Sequence, residues 1–363
     1  MNAHLKHRVE ATFRHASMGF IGRLARLSPH ERVEFQKQKI TKILLVRPSF
    51  RMGNSILATP AIFLFQRNFP EAQIDFLGSP ISEILFQNLP IERHYAITRQ
   101  FPDASWAYFA LARRIRSARY DLAVEVSGSQ SATGALFVGV SGARFRVGCR
   151  GKWDQWFNVK VGRPDSKSKY EILPRLVSSL GLTGDQVLPS IVLTPAEKET
   201  ELTNLASLLG ESYGADVGVF VGARISGEKR WPKEQFVRLI SGLRVGGKRV
   251  IVFVGPEEED ILAYYRRELR PDIPVIYEPS LRKFAGMIAA CKLFVTCDSG
   301  PMHLACALRV RTVAVFLKAN FQHWGPPASL ARIAYEEGGI SYRRVLHMCL
   351  EELSHKHDDP LHS

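Results

Sequence analysis

Twice along this chain, short uninterrupted apolar runs alternate with segments of helical spacing, and that alternation narrows the possible folds more than any other feature. A strand that is apolar at successive positions is buried on both faces, as in a parallel sheet covered by helices on each side. In the first block Ile43-Leu44-Leu45-Val46, Gln73-Ile74-Asp75-Phe76-Leu77, Leu122-Ala123-Val124-Glu125-Val126 and Arg144-Phe145-Arg146-Val147-Gly148 read as strands. Helices are expected there up to Phe69 and near 81–88, 105–118 and 130–140. In the second block strands are expected at 216–221, 249–254, 275–276, 293–295 and 312–316, with helices over 232–243, 257–269, 281–291 and from Pro301. The pattern predicts an α/β chain with two Rossmann-like, doubly wound parallel-sheet domains facing a cleft. A length of 363 residues suits two domains. The expected division is an N-terminal extension (1–40), a first domain (41–195), a second domain (196–335) and a C-terminal helix and tail (336–363).

Ligands of such sheets bind beyond the carboxyl ends of the strands, so the loops that follow strands are where chemistry is expected. The apolar run ending on Thr296-Cys297-Asp298 leads through Ser299-Gly300 to Pro301, Met302 and His303. Proline is favoured in the first helical turn, where its missing N–H has no partner to lose. Strand, tight turn and helix start aim free N–H groups and a partial positive charge at one point, which suits a diphosphate, and His303 adds a side-chain donor. In the loop 47–55, Gly53 permits close approach to backbone, Asn54 or Ser55 can cap the next helix, and Arg47 and Arg51 bring positive charge to the cleft. The loop 221–232 carries Arg224, Lys229 and Arg230; a compact ammonium makes Lys229 the candidate for neutralising a leaving diphosphate, while Trp231-Pro232 reads as the start of a helix. In the loop 254–260, Glu257 either complements a helix dipole or accepts from ribose hydroxyls. None of these loops has the glycine spacing of a dinucleotide fold or a P-loop, so hydride transfer and ATP hydrolysis lack their signatures.

The 49 Lys and Arg outnumber the 35 Asp and Glu, giving a net charge of +14 and favouring anionic partners. Without zinc-finger spacing or an RNP-type aromatic motif, nucleic acid is not the expected partner. No run reaches the ~18–20 apolar residues that span a bilayer, and no secretory-type apolar core is present, so a cytoplasmic chain is expected. Cys149, Cys291, Cys297, Cys306 and Cys349 form no CxxC pair and read as small buried residues in a reducing compartment. Phe13, Phe20, Leu24 and Leu27 fall at helical spacing between Arg14, Arg23 and Arg26, as in a basic amphipathic helix. Such a helix lies either in a membrane interface or on the protein's own surface, and Gly19 and Gly22 weaken it.

Several segments together resemble glycosyltransferase family 9, the ADP-heptose:lipopolysaccharide heptosyltransferases. They are Ile43-Leu44-Leu45-Val46-Arg47 with Met52-Gly53-Asn54, Ala58-Thr59-Pro60-Ala61, Phe69 to Leu77, Tyr120-Asp121-Leu122, Lys229-Arg230-Trp231-Pro232, Asp298-Ser299-Gly300-Pro301-Met302-His303 and Trp324-Gly325-Pro326. The resemblance spans about residues 42–327. It implies a GT-B fold, a donor held mainly by the second domain, no cofactor and no required metal. Carried over, Lys229 contacts the donor phosphates; Gly53, Asp298, Ser299, Gly300, Pro301, Met302 and His303 line the donor site; Arg224 lies nearby; and Glu257 reaches the nucleoside. Arg47, Arg51, Arg144 and Arg146 are the expected contacts to an anionic acceptor, with Arg144 and Arg146 reading equally well as solvated surface. The implied reaction is inverting: an acceptor hydroxyl attacks the anomeric carbon of ADP-heptose and ADP leaves. The expected setting is the cytoplasm, peripheral to the inner membrane, with lipopolysaccharide core or another anionic glycan as acceptor.

Such a reaction needs a base for the hydroxyl and stabilisation of the departing diphosphate. Family members commonly carry Gly-Asp where this chain has Gly53-Asn54, and an amide cannot accept a proton. Three readings stay open at this point. Glu125 takes the role, or Asn54 only orients the acceptor while leaving-group departure drives the reaction, or the chain binds nucleotide sugars without transferring them.

Overall fold

The computed structural model describes residues 38–98, 104–185, 187–210, 214–222, 230–255 and 259–354. Residues 1–37 of the basic N-terminal segment, Arg224, Lys229 and Glu257 lie outside the described residues. The first sheet has the order β3-β2-β1-β4-β5-β6 and the second β12-β11-β10-β7-β8-β9, all neighbours being parallel. In the first, β1 (Lys42–Val46), β2 (Gln73–Gly78), β3 (Arg93–Ala96), β4 (Leu122–Glu125), β5 (Phe145–Cys149) and β6 (Val159–Val161) follow in chain order. The second holds β7 (Val217–Phe220), β8 (Val250–Val254), β9 (Val275–Tyr277), β10 (Leu293–Cys297), β11 (Arg311–Val315) and β12 (Ala331–Ala334). Counted within its own half, each sheet reads 3-2-1-4-5-6, so strand order reverses between β1 and β4 and again between β7 and β10. A crevice opens at such a reversal, because the loops on its two sides leave in opposite directions.

Where a single helix is expected up to Phe69, two form: α1 (Met52–Ile56) and α2 (Thr59–Asn68). Pro60 sits in the first turn of α2, where its missing N–H costs nothing, and the Thr59 hydroxyl donates to the Ile56 carbonyl across the break. The helices α3 (Pro80–Leu85), α4 (Ala104–Ser117), α5 (Ala132–Val140) and α6 (Ile172–Ser179) complete the first half. Next, α7 (Pro195–Leu209) starts on a reciprocal cap between Thr194 and Glu197 and stops on left-handed Gly210. The rest are α8 (Lys233–Val245), α9 (Glu259–Glu268), α10 (Leu281–Ala289), α11 (Gly300–Ala307), α12 (Phe321–Trp324) and α13 (Tyr342–Ser354). Trp231 is buried beside Phe236, its indole N–H donating to the Ile340 carbonyl, and Pro232 caps α8, so this pair buttresses the helix start. In α13, Glu352 takes Arg311 of β11 as its partner, which fastens the helix to the second sheet.

One apolar cluster runs across both halves, from Ile43, Ile56 and Phe65 to Phe284, Phe294 and Leu304. Arg282 on α10 reinforces it: the guanidinium donates to both carboxylate oxygens of Glu197 (2.7 and 2.5 Å) and to the Val192 carbonyl (3.0 Å). Arg309 similarly donates to the Pro189 carbonyl (2.6 Å), so the segment that joins the halves is held from the second. All five cysteines are buried as free thiols. Among the described residues no helix is long and apolar enough to cross a membrane.

Candidate active site

The two strand reversals meet at α1 and α11. Gly53, in the first turn of α1, lies flat against the ring of His303 on α11: a Cβ added there would fall 2.6 Å from the imidazole Cδ2. Gly300 answers from the other side, since its Cβ would stand 3.1 Å from that of Met52. Two glycines thus let two helix starts touch where side chains would hold them apart. On α11, Ser299 is the N-cap residue but gives no side-chain cap. Its hydroxyl instead pairs with that of Thr296 (3.0 Å). Asp298, at the end of β10, accepts from the Asn320 amide at 3.2 Å. Asp298, Ser299 and Gly300 are partly exposed at this point, where the helix N-terminus presents its partial positive charge.

His303 is not open to the cleft as a free side chain. It is 4% exposed, and its Nδ1 lies 2.7 Å from the hydroxyl of Tyr170, itself 3% exposed. Burial, with Cys306 and Asp298 nearby, holds the Tyr170 phenol well above its ordinary value. Tyr170 therefore keeps its proton and shares a hydrogen bond with Nδ1 of His303. Tyr170→Phe is expected to cost about 1–2 kcal/mol in urea unfolding, because a buried ring nitrogen loses its hydrogen-bond partner. Turnover should fall with it; a variant as stable and as active as the parent would remove this bond from the account.

On the first-half side a cleft is lined by Arg47, Asn54, Ser127 and Lys169 over an apolar floor that includes Leu57, Ile172 and Leu173. Lys169 has its ammonium 5.6 Å from the centre of the Trp324 ring, and its backbone N–H donates to the His323 carbonyl (2.9 Å). Burial and the nearby Arg47 charge both lower its pKa. Two cations lining one space favour an anion between them.

Glu125 lies beneath this cleft. It ends β4 opposite Val46 and is 0% exposed, with the Ser127 hydroxyl 2.5 Å from Oε1. Gly134 on α5 makes room for it, since a Cβ there would meet Glu125 Cγ at 2.9 Å. Burial pushes the Glu125 carboxyl up to about 7, against the pull of the Ser127 hydroxyl and the Arg47 charge.

Two expectations need correction. Arg144 and Arg146 do not face the cleft: both stand at the amino end of β5, while the site is at the carboxyl ends of the parallel strands. Arg144 is exposed and stacks on Phe145, whereas Arg146 is buried and donates to the Ala143 carbonyl (2.7 Å). Met302 is likewise closed to a ligand, 0% exposed among Ala314 and Phe316, and Pro301 is buried with it. Arg51 is exposed as the N-cap residue of α1, next to the cleft. Lys169 and Tyr170 escape sequence reasoning, since they sit in a polar loop with no periodicity and no motif. Among the described residues no three His, Cys, Asp or Glu side chains stand together as metal ligands.

The sequence model of glycosyltransferase family 9 (heptosyltransferase) matches residues 108–344. Lipopolysaccharide heptosyltransferase 2 of Escherichia coli K12 is 27% identical over 310 residues, covering 80% of this chain and 87% of its own. Among solved structures, a family 9 glycosyltransferase of Veillonella parvula superposes with a TM-score of 0.78 at 18% identity, covering 88% of this chain and 99% of its own. An E. coli heptosyltransferase solved with ADP-2-deoxy-2-fluoro heptose gives 0.66 at 21% identity, covering 86% and 99%. These likenesses establish the GT-B fold.

Proposed function

The chain belongs to glycosyltransferase family 9, the heptosyltransferase family, and from that premise we propose that it transfers a heptose or related sugar from ADP-heptose to an anionic acceptor such as lipopolysaccharide core. The observation that carries this reading is the apposition of Gly53 and His303. It sets the α11 N-terminus against a cleft that holds Arg47, Asn54 and Lys169. A diphosphate at that N-terminus meets backbone N–H groups and the partial positive charge of the helix. Lys229 adds a point charge to the donor phosphates, with Arg224 nearby and Glu257 at the nucleoside. Arg47 and Lys169 take the acceptor's phosphate or carboxylate groups, and Arg51 borders them.

In this scheme an acceptor hydroxyl attacks the anomeric carbon from the face opposite ADP, the carbon–oxygen bond to the diphosphate breaks, and its electron pair leaves with ADP. The configuration inverts. No metal is needed, because the helix N-terminus and Lys229 carry the charge that develops on the diphosphate. The cytoplasmic face of the inner membrane is the proposed setting, with the basic segment 1–40 against the lipid.

Calorimetric titration with ADP, UDP and GDP tests the donor side. ADP is expected to bind at least tenfold more tightly than the other two, and Lys229→Ala to weaken it at least tenfold. Preference for UDP or GDP would discard the heptose donor, and absence of binding by all three would remove the diphosphate site.

A second reading rests on Asn54. Among the described residues no carboxylate lines the cleft beside it, which favours a nucleotide-sugar-binding protein without transfer activity. ADP release that requires acceptor in the parent chain eliminates that reading. Activity that emerges only in Asn54→Asp establishes it.

A further inference from the structure

Asn54 leaves the acceptor hydroxyl without a carboxylate at the place where the family usually has one, and Glu125 has no exposed surface with which to touch a substrate. The Ser127 hydroxyl, however, meets both: it lines the cleft beside Asn54, Arg47 and Lys169, and it lies 2.5 Å from Glu125 Oε1. Gly128, in the left-handed region (φ 67°), folds Ser127 and Ser129 back on each other, so that the Ser129 N–H donates to Ser127 Oγ at 3.3 Å. The second oxygen of Glu125, Oε2, is buried with no hydrogen-bond partner among the described residues.

Resting on the heptosyl-transfer reading, we propose that Ser127 and Glu125 form a proton relay in which Ser127 touches the acceptor hydroxyl and Glu125 receives the proton. As the acceptor oxygen bonds to the anomeric carbon, its proton passes to Ser127 Oγ. The Ser127 proton passes at once to Glu125 Oε1, and the electron pair of the broken bond leaves on ADP. When the products depart, Glu125 returns its proton through Ser127 to water in the cleft. Ser127 ends as it began, and the net change is one proton released per sugar transferred.

The charged and titratable groups that face Glu125 fit this role. Arg47 follows β1 on one side and favours the ionised carboxylate. Cys149 ends β5 on the other, its thiol pushed up to about 12 by burial and by Glu125, so it stays neutral. From α5, the Ser131 backbone favours the charged form and Gly134 brings no charge. With its carboxyl near 7, Glu125 is an effective proton acceptor at neutral pH, since a base works best when its pKa lies close to the operating pH.

The test uses the full chain, ADP-heptose and lipopolysaccharide core acceptor, with ADP release as the rate and calorimetric ADP affinity as the control. Ser127→Ala is expected to lower kcat about 10²-fold, with ADP affinity unchanged and KM within a few fold. Ser127→Thr keeps the hydroxyl and should retain most of the rate. The pH–rate profile of the parent should fall on its acidic side with a midpoint near 7, and Glu125→Gln should lose both the rate and that limb. A Ser127→Ala variant with parental kcat, or a Glu125→Gln variant that keeps the acidic limb, overturns the relay while ADP binding leaves the family reading standing. A parent chain that binds no ADP, or releases none from the sugar nucleotide, overturns the relay and the heptosyl-transfer reading together.

Discussion

Replacing Gly53 by alanine should disable the site and destabilise the protein through one added carbon. The new Cβ would lie 2.6 Å from Cδ2 of His303, well inside contact distance. A flexible side chain would swing away, but this ring is buried and its other edge is bonded to Tyr170. Relief requires either breaking that bond or parting α1 from α11. Forcing extra atoms into a packed contact costs roughly 1–3 kcal/mol, and the same shift moves Asn54 and the α11 N-terminus relative to each other. Displacements on the order of 1 Å at such a site cost about 10²-fold in rate, so turnover should drop by at least that while the fold survives. Urea unfolding and ADP release measured on Gly53→Ala decide the matter. Adding His303→Ala removes the obstacle, so the double variant should regain stability without regaining activity. A stable, fully active Gly53→Ala would show that the two helix starts need not touch.

Glu125→Gln should be more stable than the parent above pH 7 and nearly equal to it in acid. In the folded protein the carboxyl sits near 7, whereas in the unfolded chain it takes its ordinary value near 4.5. Between these values the native state holds a proton that the unfolded state has lost. Its stability contribution is therefore present below pH 4.5 and is lost as pH rises through 7. The difference amounts to on the order of 3 kcal/mol at pH 8. Glutamine resembles the protonated acid and escapes this loss. Unfolding curves at pH 5 and pH 8 should show the variant gaining most of its advantage at the higher pH. Parallel curves for the two proteins would mean that Glu125 is not held near 7.

The interior of both sheets was legible because central parallel strands are apolar on both faces, as in Ile43 to Val46 and Val250 to Val254. Edge strands were harder: β3 reads Arg-His-Tyr-Ala, β6 Val-Lys-Val and β12 Ala-Arg-Ile-Ala, none with a continuous apolar run. With a neighbour on one side only, such strands keep polar residues that blur the signal. In the site, the turn from Asp298 to Gly300 showed itself through proline at a helix start after a buried strand. Met302 was misread because a motif does not say which of its residues face inward. Arg144 and Arg146 were misread because a positive charge near a strand does not reveal which end of the sheet it occupies. Lys169 and Tyr170 had no local signature at all, since their place comes from packing against Trp324 and His303 in the other half.

The five buried thiols turn the native protein into its own reporter. Burial pushes Cys149, Cys297 and Cys306 up to about 12 and raises Cys291 and Cys349 as well, so almost no thiolate exists at neutral pH. A maleimide can modify them only as fast as the surrounding structure opens. Slow labelling, read by mass spectrometry, therefore clocks local opening separately in the first half, through Cys149, and in the second, through the other four. A cysteine placed at the exposed position Phe109 or Val245 would react far sooner, so a fluorophore can be attached to the otherwise unaltered chain.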